Sequence, residues 1–315
     1  MTEIEWTQKT WNPLVGCSKI SSGCANCYAI NQAHRNAAMA QVMPNPGRLK
    51  YYEGLTEKQG NRLEWTGLVR FVPEALEIPP KTKKPTTWFV NSMSDLFHES
   101  VTDEQLDQVF AVMVLTPQHK YQVLTKRPRR MLEYCKDLDL RRLLKAVDLP
   151  LPFGNYEIKL PLPNVWLGVT VENQKAANER ISLLLQTPAA IRFLSCEPLL
   201  ECVEIDCIKH VHTWEDGGKE EFAAWNPLNP SDGSKIDWVI VGGESGPKAR
   251  PFEIAWARSI IQQCKDAGVP VFVKQLGTRN NWTMNKKGSS TKGNNPDEWP
   301  EDLRVREMPR LLGGS

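Results

Sequence analysis

The chain has 315 residues, 41% of them hydrophobic and 24% charged, with 39 Lys+Arg against 37 Asp+Glu and a formal net charge of +2. That is enough chain to bury a large core, as one big α/β domain or as two ordinary ones, and the near-balanced charge excludes a polybasic nucleic-acid coat or an acidic disordered tail. No apolar run approaches the roughly 18 residues of a membrane span, and the start Met1-Thr2-Glu3-Ile4-Glu5-Trp6 lacks the basic and apolar regions of a signal peptide, so a soluble cytoplasmic protein with no membrane partner is expected.

In chain order, Asn12–Gly16 is a first candidate strand, weakened by its proline and glycine. Residues 44–85 are long and mixed and read as an excursion. Thr87–Ser92 is a short apolar run ending in polar residues, and the same pattern returns at Tyr121–Thr125, Val165–Thr170, Ile191–Ser195, Ile236–Val241 and Val269–Val273. Such runs are strands buried on both faces of a parallel sheet. Between them, Thr102-Asp103-Glu104-Gln105 is a capping box opening a helix that stops before Pro117. Asn173 caps Gln174–Gln186, and Phe252–Ala267 ends at Gly268, the expected C′ glycine. Residues 201–235 are polar and rich in Gly, Asn and Pro, and read as an inserted loop. Residues 278–295, rich in Asn, Lys, Gly and Ser, read as part of a tail, 278–315, packing on or covering the body formed by residues 1–277. Strand and helix alternate as in right-handed βαβ units, which fits a doubly wound sheet or a full or partial (β/α) barrel of the TIM type.

The strongest chemical signal is Cys17-x6-Cys24-x2-Cys27. Eight cysteines in a chain of this length do not describe a disulfide-stapled scaffold, and three crowd into eleven residues while the rest are scattered. A structural zinc wants four protein ligands, and His34 is the one local candidate for a fourth. Three thiolates suit a four-iron cluster that leaves one iron open.

Asn12-Pro13-Leu14-Val15-Gly16-Cys17, Gly23-Cys24 and Cys27-Tyr28-Ala29 resemble the start of radical S-adenosylmethionine (SAM) enzymes of the spore photoproduct lyase kind. Those enzymes usually carry C-x3-C-x2-C, so this chain has three more residues in the first gap. Over nearly its whole length the chain resembles the phage Gp37/Gp68 group of three-cysteine-motif proteins. The matching segments are Asn91-Ser92-Met93-Ser94-Asp95-Leu96-Phe97-His98-Glu99, Leu124–Pro128, Trp166–Asn173, Phe193–Leu199 and Val241–Pro247. The resemblance implies a (β/α) barrel of the radical SAM kind with inserted loops. It also implies a [4Fe–4S] cluster on Cys17, Cys24 and Cys27 whose open iron chelates SAM. One-electron reduction by an external reductant would then cleave SAM to methionine and a 5′-deoxyadenosyl radical.

In a (β/α) barrel the active site lies at the C-terminal ends of the strands. The residues following the candidate strands include Ser92 and Asp95, Lys126 and Arg127, Thr170 and Glu172, Glu197, Glu244, then Lys274 and Gln275. SAM needs acceptors for its amine and ribose and a basic partner for its carboxylate. Ser92, Asp95, Lys126, Thr170, Glu172, Glu197 and Glu244 are accordingly the cofactor-binding candidates. Gly242-Gly243-Glu244 resembles the Gly-Gly-Glu motif that contacts the SAM amine, although it follows about the sixth strand rather than the second. Arg127, His98, Lys274 and Gln275 are the substrate-facing candidates.

The sequence does not single out a catalytic residue. A nucleobase or nucleic-acid substrate is expected by analogy alone, with Trp282 or Trp299 available to stack on bases. The rival reading is a non-enzymatic nucleic-acid-binding module, stabilised by zinc or a cluster, that uses Thr125–Arg130 for phosphates. Cys202, Cys207, His210 and His212 have zinc-ligand chemistry in the inserted segment, at spacings that fit no standard site.

Overall fold

The structure is a computed structural model that describes residues 4–147, 158–213, 219–230, 233–282 and 292–309, with the side chains of 210–224 outside that description. Two short strands, β1 (Lys9–Trp11) and β2 (Leu14–Val15), lead into helix α1 (Tyr28–Val42). A hairpin of β3 (Thr56–Gln59) and β4 (Arg62–Trp65) follows, then β5 (Arg70–Phe71) and a single helical turn α2 (Ile78–Lys81). Strand–helix alternation begins with β6 (Thr87–Val90), α3 (Asp103–Leu115), β7 (Lys120–Thr125), α4 (Pro128–Lys136) and α5 (Leu140–Lys145). It continues with β8 (Val165–Thr170), α6 (Gln174–Gln186) and β9 (Ile191–Cys196). The hairpin β10 (Ile208–Thr213) and β11 (Lys219–Trp225) precedes β12 (Trp238–Gly242), α7 (Ile254–Ala267) and β13 (Val271–Gln275).

Seven strands share one sheet in the order β1-β6-β7-β8-β9-β12-β13, with the ladders β1·β6, β6·β7, β9·β12 and β12·β13 all parallel. Sheet order follows chain order, a topology compatible with a partial TIM-type barrel. The chain packs as two compact units, one from residues up to Leu167 plus Pro188–Ala190, the other from Gly168–Thr187 and Ile191 onward.

In the first unit, the Trp11 and Tyr121 rings meet at a 56° tilt with centroids 5.4 Å apart, and the Trp11 indole donates to the Ala75 carbonyl at 2.8 Å. Helix α3 lays Leu106, Val109, Phe110 and Met113 into this core, a term worth roughly 1.5–3 kcal/mol per buried side chain. Its predicted capping box is present, with Thr102 and Gln105 exchanging side-chain-to-backbone bonds. The expected strand at Asn12–Gly16 divides differently. Lys9–Trp11 is the strand that joins the sheet beside β6, and Leu14–Val15 instead pairs antiparallel with Arg70–Phe71. Pro13 lacks the N–H that a continuous ladder needs, which is where the chain switches partners.

In the second unit, Asn173 caps α6 by accepting from the Ala176 amide at 2.8 Å, and α7 ends on Gly268 in the left-handed conformation, φ 66°. The 201–235 segment, expected as a loop, contains the β10–β11 hairpin, with Ile208 opposite Trp225. Its β-branched and aromatic positions carried less weight in the sequence than the Gly, Asn and Pro around them. Trp299 is buried, with Arg306 over its ring at 5.3 Å, so it packs within this unit. Trp282 is 40% exposed and its indole donates to the Glu298 carbonyl at 3.0 Å. Among the described residues no helix is long and apolar enough to cross a membrane.

Candidate functional site

The cysteine loop belongs to the first unit and leaves β2 through Gly16. That glycine has φ 92°, and a Cβ there would lie 2.1 Å from the Leu68 carbonyl oxygen. The left-handed conformation and the close backbone together require glycine at the entrance to Cys17. The Gly16 amide donates to the Met93 carbonyl at 3.1 Å, and Ser94 Oγ donates to the Leu14 carbonyl at 2.9 Å. Both contacts hold the start of the loop against the segment after β6. Cys27 is the residue just before α1, and Tyr28, in the first turn, donates its hydroxyl to the Ser92 carbonyl at 2.9 Å. Ser92 Oγ in turn bonds Asn12 Oδ1 at 3.2 Å.

All three thiols are free and only partly shielded. Burial, with help from Asp95, pushes the Cys17 thiol up to about 12 against the pull of Arg127. Burial also raises Cys27. For Cys24 burial acts in the same direction but is outweighed by Lys126, by the backbone at Ile20 and Ser21 and by the Ser21 hydroxyl, so this thiol titrates below its ordinary value. Lys126 and Arg127 thus bring two positive charges to three groups that are nucleophiles and ligands only as thiolates.

Beside the thiols sits a saturated ion pair. Asp95 is buried and accepts four donors. Its Oδ1 takes the Thr125 hydroxyl at 2.6 Å and the Phe97 amide at 3.0 Å, and its Oδ2 takes the Lys126 amide at 3.0 Å and Arg127 Nη1 at 3.2 Å. A carboxylate offers about four lone-pair sites, so none remains for an external amine or ribose. Arg127 is equally committed. Its Nε donates to Glu99 at 2.8 Å, Nη1 to Asp95 and to Cys17 Sγ at 3.8 Å, and Nη2 to the Ser18 hydroxyl at 2.8 Å and the Ser18 carbonyl at 3.3 Å. Those are five acceptors for the five N–H groups of a guanidinium. Burial works against its charge, but Asp95, Glu99 and Cys17 outweigh burial and hold the guanidinium protonated.

His98 completes this cluster, with Nε2 2.8 Å from the Ser18 hydroxyl and Nδ1 2.9 Å from that of Ser100. Burial and the nearby Arg127 lower its pKa. Sequence reasoning placed Asp95, His98, Lys126 and Arg127 in this neighbourhood but missed Ser18 and Glu99. Glu99 stood inside a motif already singled out, directly after His98, and the place of Ser18 beside Cys17 was the available signal for it.

The second unit carries the remaining candidates. Glu172 is fully buried and bound by both Arg180 nitrogens, at 2.8 and 3.3 Å. Thr170, at the end of β8, gives its carbonyl to Arg180 at 2.9 Å, and its buried hydroxyl has no partner among the described residues. Glu244 accepts both Nε and Nη2 of Arg250, at 3.0 and 2.7 Å, and the Arg250 amide at 2.8 Å. Glu197 Oε1 takes Lys274 Nζ at 2.6 Å and Gln275 Nε2 at 2.9 Å. A Cβ on Gly242 would meet that carboxyl at 3.2 Å, so the glycine leaves it room. Arg180 and Arg250 were not anticipated. The signal for Arg180 is its place eight residues after Glu172, two turns along the helix that Asn173 opens.

Among the described residues no three His, Cys, Asp or Glu side chains are arranged to hold a single metal ion. A tetrahedral zinc would need such a grouping, with sulfurs drawn in to about 2.3 Å from one centre. His34, the local candidate for a fourth ligand, is exposed and lies 3.3 Å from the Thr56 hydroxyl. A four-iron cluster asks for something different, one thiolate on each of three separate irons. Three free thiols flanked by two cations have the donor chemistry for that. The side chains of His210 and His212 lie outside the described residues, while Cys202 is exposed and Cys207 half-buried.

No curated protein and no solved structure matches the chain. One family does, over residues 1–302, and it is described as protein of unknown function, DUF5131. That match takes in the cysteine loop, the Asp95–Arg127 cluster and all the strands of the sheet, and is consistent with the phage-type resemblance. The chain belongs to the DUF5131 family.

Proposed function

We propose that this protein is a radical SAM enzyme whose [4Fe–4S] cluster is held by Cys17, Cys24 and Cys27. The observation that carries the reading is the three-thiol loop at the end of the first strands, with Arg127 bonded to Cys17 and to Ser18 beside it. Cys17, Cys24 and Cys27 would hold the cluster, and the chemistry it would supply when bound is the one-electron reductive cleavage of SAM to methionine and a 5′-deoxyadenosyl radical.

The chain's own residues bind and orient. Arg127 and Asp95 have no donor or acceptor to spare, which leaves Lys126 as the cation for the SAM carboxylate. Its ammonium is engaged, among the described residues, only through its field on the two cysteines. In the second unit, Glu172 and Glu244 each carry a bidentate arginine and stiffen their strand ends, while Glu197, Lys274 and Gln275 form a half-buried polar group suited to a polar substrate. A nucleobase or nucleic acid remains the substrate class suggested by analogy.

The test is anaerobic purification with iron, sulfide and zinc measured per chain, followed by dithionite and SAM with 5′-deoxyadenosine as readout. Three to four irons per chain and 5′-deoxyadenosine formation are expected, and both should be lost on Cys24→Ala. Stoichiometric zinc, or a cluster that never cleaves SAM, overturns the reading in favour of a non-enzymatic binding module.

A further inference from the structure

We infer that Arg127 is a positioning residue that seats Cys17 and raises the reduction potential of the cluster, with Glu99 opposing it from the surface. The inference rests on the proposed cluster and concerns how it is tuned. Arg127 spans the loop and its support. Two of its N–H groups grip Ser18, one reaches the Cys17 sulfur at 3.8 Å, and the other two are anchored by Asp95 and Glu99.

Physical consequences follow from charge and direction. A cluster gains negative charge on reduction, so a cation donating an N–H to one of its sulfur ligands stabilises the reduced state more than the oxidised one. Net charge and hydrogen bonds to sulfur are the levers that set such potentials. The side chain of Arg127 is buried, which limits solvent screening of this interaction. A lysine could not substitute fully, because an ammonium has three donors and no planar fork. Glu99 differs from Asp95 in being exposed, with a side chain 67% accessible. It is the exposed one of the two acidic anchors and offsets the guanidinium charge from the surface. Removing its charge leaves the field of Arg127 less compensated.

Two variants should shift the potential in opposite directions. With iron and sulfide stoichiometry measured first, the midpoint potential of the reconstituted protein is read by anaerobic titration with electron paramagnetic resonance detection. Arg127→Gln shifts the potential to more negative values, and Glu99→Gln shifts it to more positive values. A merely structural role for Arg127 would change cluster occupancy without producing the second, opposite shift. If Arg127→Gln does not fold, Glu99→Gln decides alone, since its site is on the surface. An unchanged potential in Glu99→Gln with a normally assembled cluster overturns the inference and leaves the proposed enzyme intact. A wild-type protein that assembles no iron overturns both.

Discussion

Asp95 Oδ2 lies 3.2 Å from Arg127 Nη1, and the two residues, 32 apart in the chain, are both buried. The pair joins the segment after β6 to the start of α4, and it does so with every lone pair of the acid and every N–H of the base in use. Buried ion pairs of this kind contribute little beyond a hydrophobic replacement, but removing one partner is costly because the other is left uncompensated.

Asp95→Ala is therefore expected to destabilise the protein by about 3 kcal/mol, towards the low end for such a loss because Glu99 still faces Arg127. Asp95→Asn keeps an oxygen for Thr125 and Phe97 and should cost less. Urea unfolding followed by tryptophan fluorescence measures both. Equal stability of the wild type and Asp95→Ala would mean that the four hydrogen bonds are not what holds this corner.

Gly16→Ala tests the entrance to the cysteine loop. The φ of 92° and the Leu68 carbonyl 2.1 Å from the new methyl leave no local adjustment that spares the backbone. Left-handed backbone alone costs an alanine about 1–2 kcal/mol, and the clash adds to it. Thermal unfolding should shift downward, and Cys17 should become more reactive to iodoacetamide relative to Cys135, which is buried elsewhere in the same unit. An unchanged alkylation pattern would show that Gly16 does not control the position of Cys17.

The strands and helices that the sequence revealed were those with a local cause. The capping box at Thr102, the Asn173 cap and the Gly268 stop each involve residues within one turn of each other, and each appears where its chemistry put it. The β1–β2 region was less legible, because the choice between joining β6 and pairing with Arg70–Phe71 is settled by residues about 55 to 80 positions away. The candidate site divides the same way. Three cysteines in eleven residues are visible to inspection. That Asp95 and Arg127 spend their hydrogen bonds on each other, on Cys17 and Ser18 of the loop and on Phe97, Glu99, Thr125 and Lys126 is not, since five of those partners lie 28 or more residues from the residue they bind. Residue type alone marked both as ligand-binding groups, and their saturation is a property of the packed state.

Glu172 and Arg180 offer a second test of buried charge, in the other unit. Glu172 is wholly inaccessible and Arg180 nearly so, with bonds of 2.8 and 3.3 Å between them. Glu172→Gln should cost roughly 3–5 kcal/mol by leaving the guanidinium without its counter-charge. The double variant Glu172→Met/Arg180→Leu should recover most of that loss, because it removes both desolvated charges together. Denaturant midpoints for Glu172→Met, Arg180→Leu and the double variant complete the cycle, and additive losses would rule out the pair as a unit.

Asp237 gives the pH dependence. Burial raises its pKa above the ordinary carboxylate value, although the backbone and the charge of Arg192 and Lys235 pull it down. Its Oδ2 accepts the Arg192 amide at 2.8 Å, a bond an asparagine oxygen can keep. A raised folded-state pKa means the folded protein binds more protons than the unfolded chain between the two values. The slope of unfolding free energy against pH is then negative. The stabilising contribution is complete below the unfolded carboxylate pKa of about 3.9 and is lost as pH rises through the folded value. Asp237→Asn carries no charge to desolvate at any pH. It should therefore unfold at a higher temperature than the wild type at pH 7 and show no advantage at pH 3. Melting curves at the two pH values decide the matter, and a variant less stable at pH 7 would show that attraction to Arg192 and Lys235 outweighs the cost of burying the carboxylate.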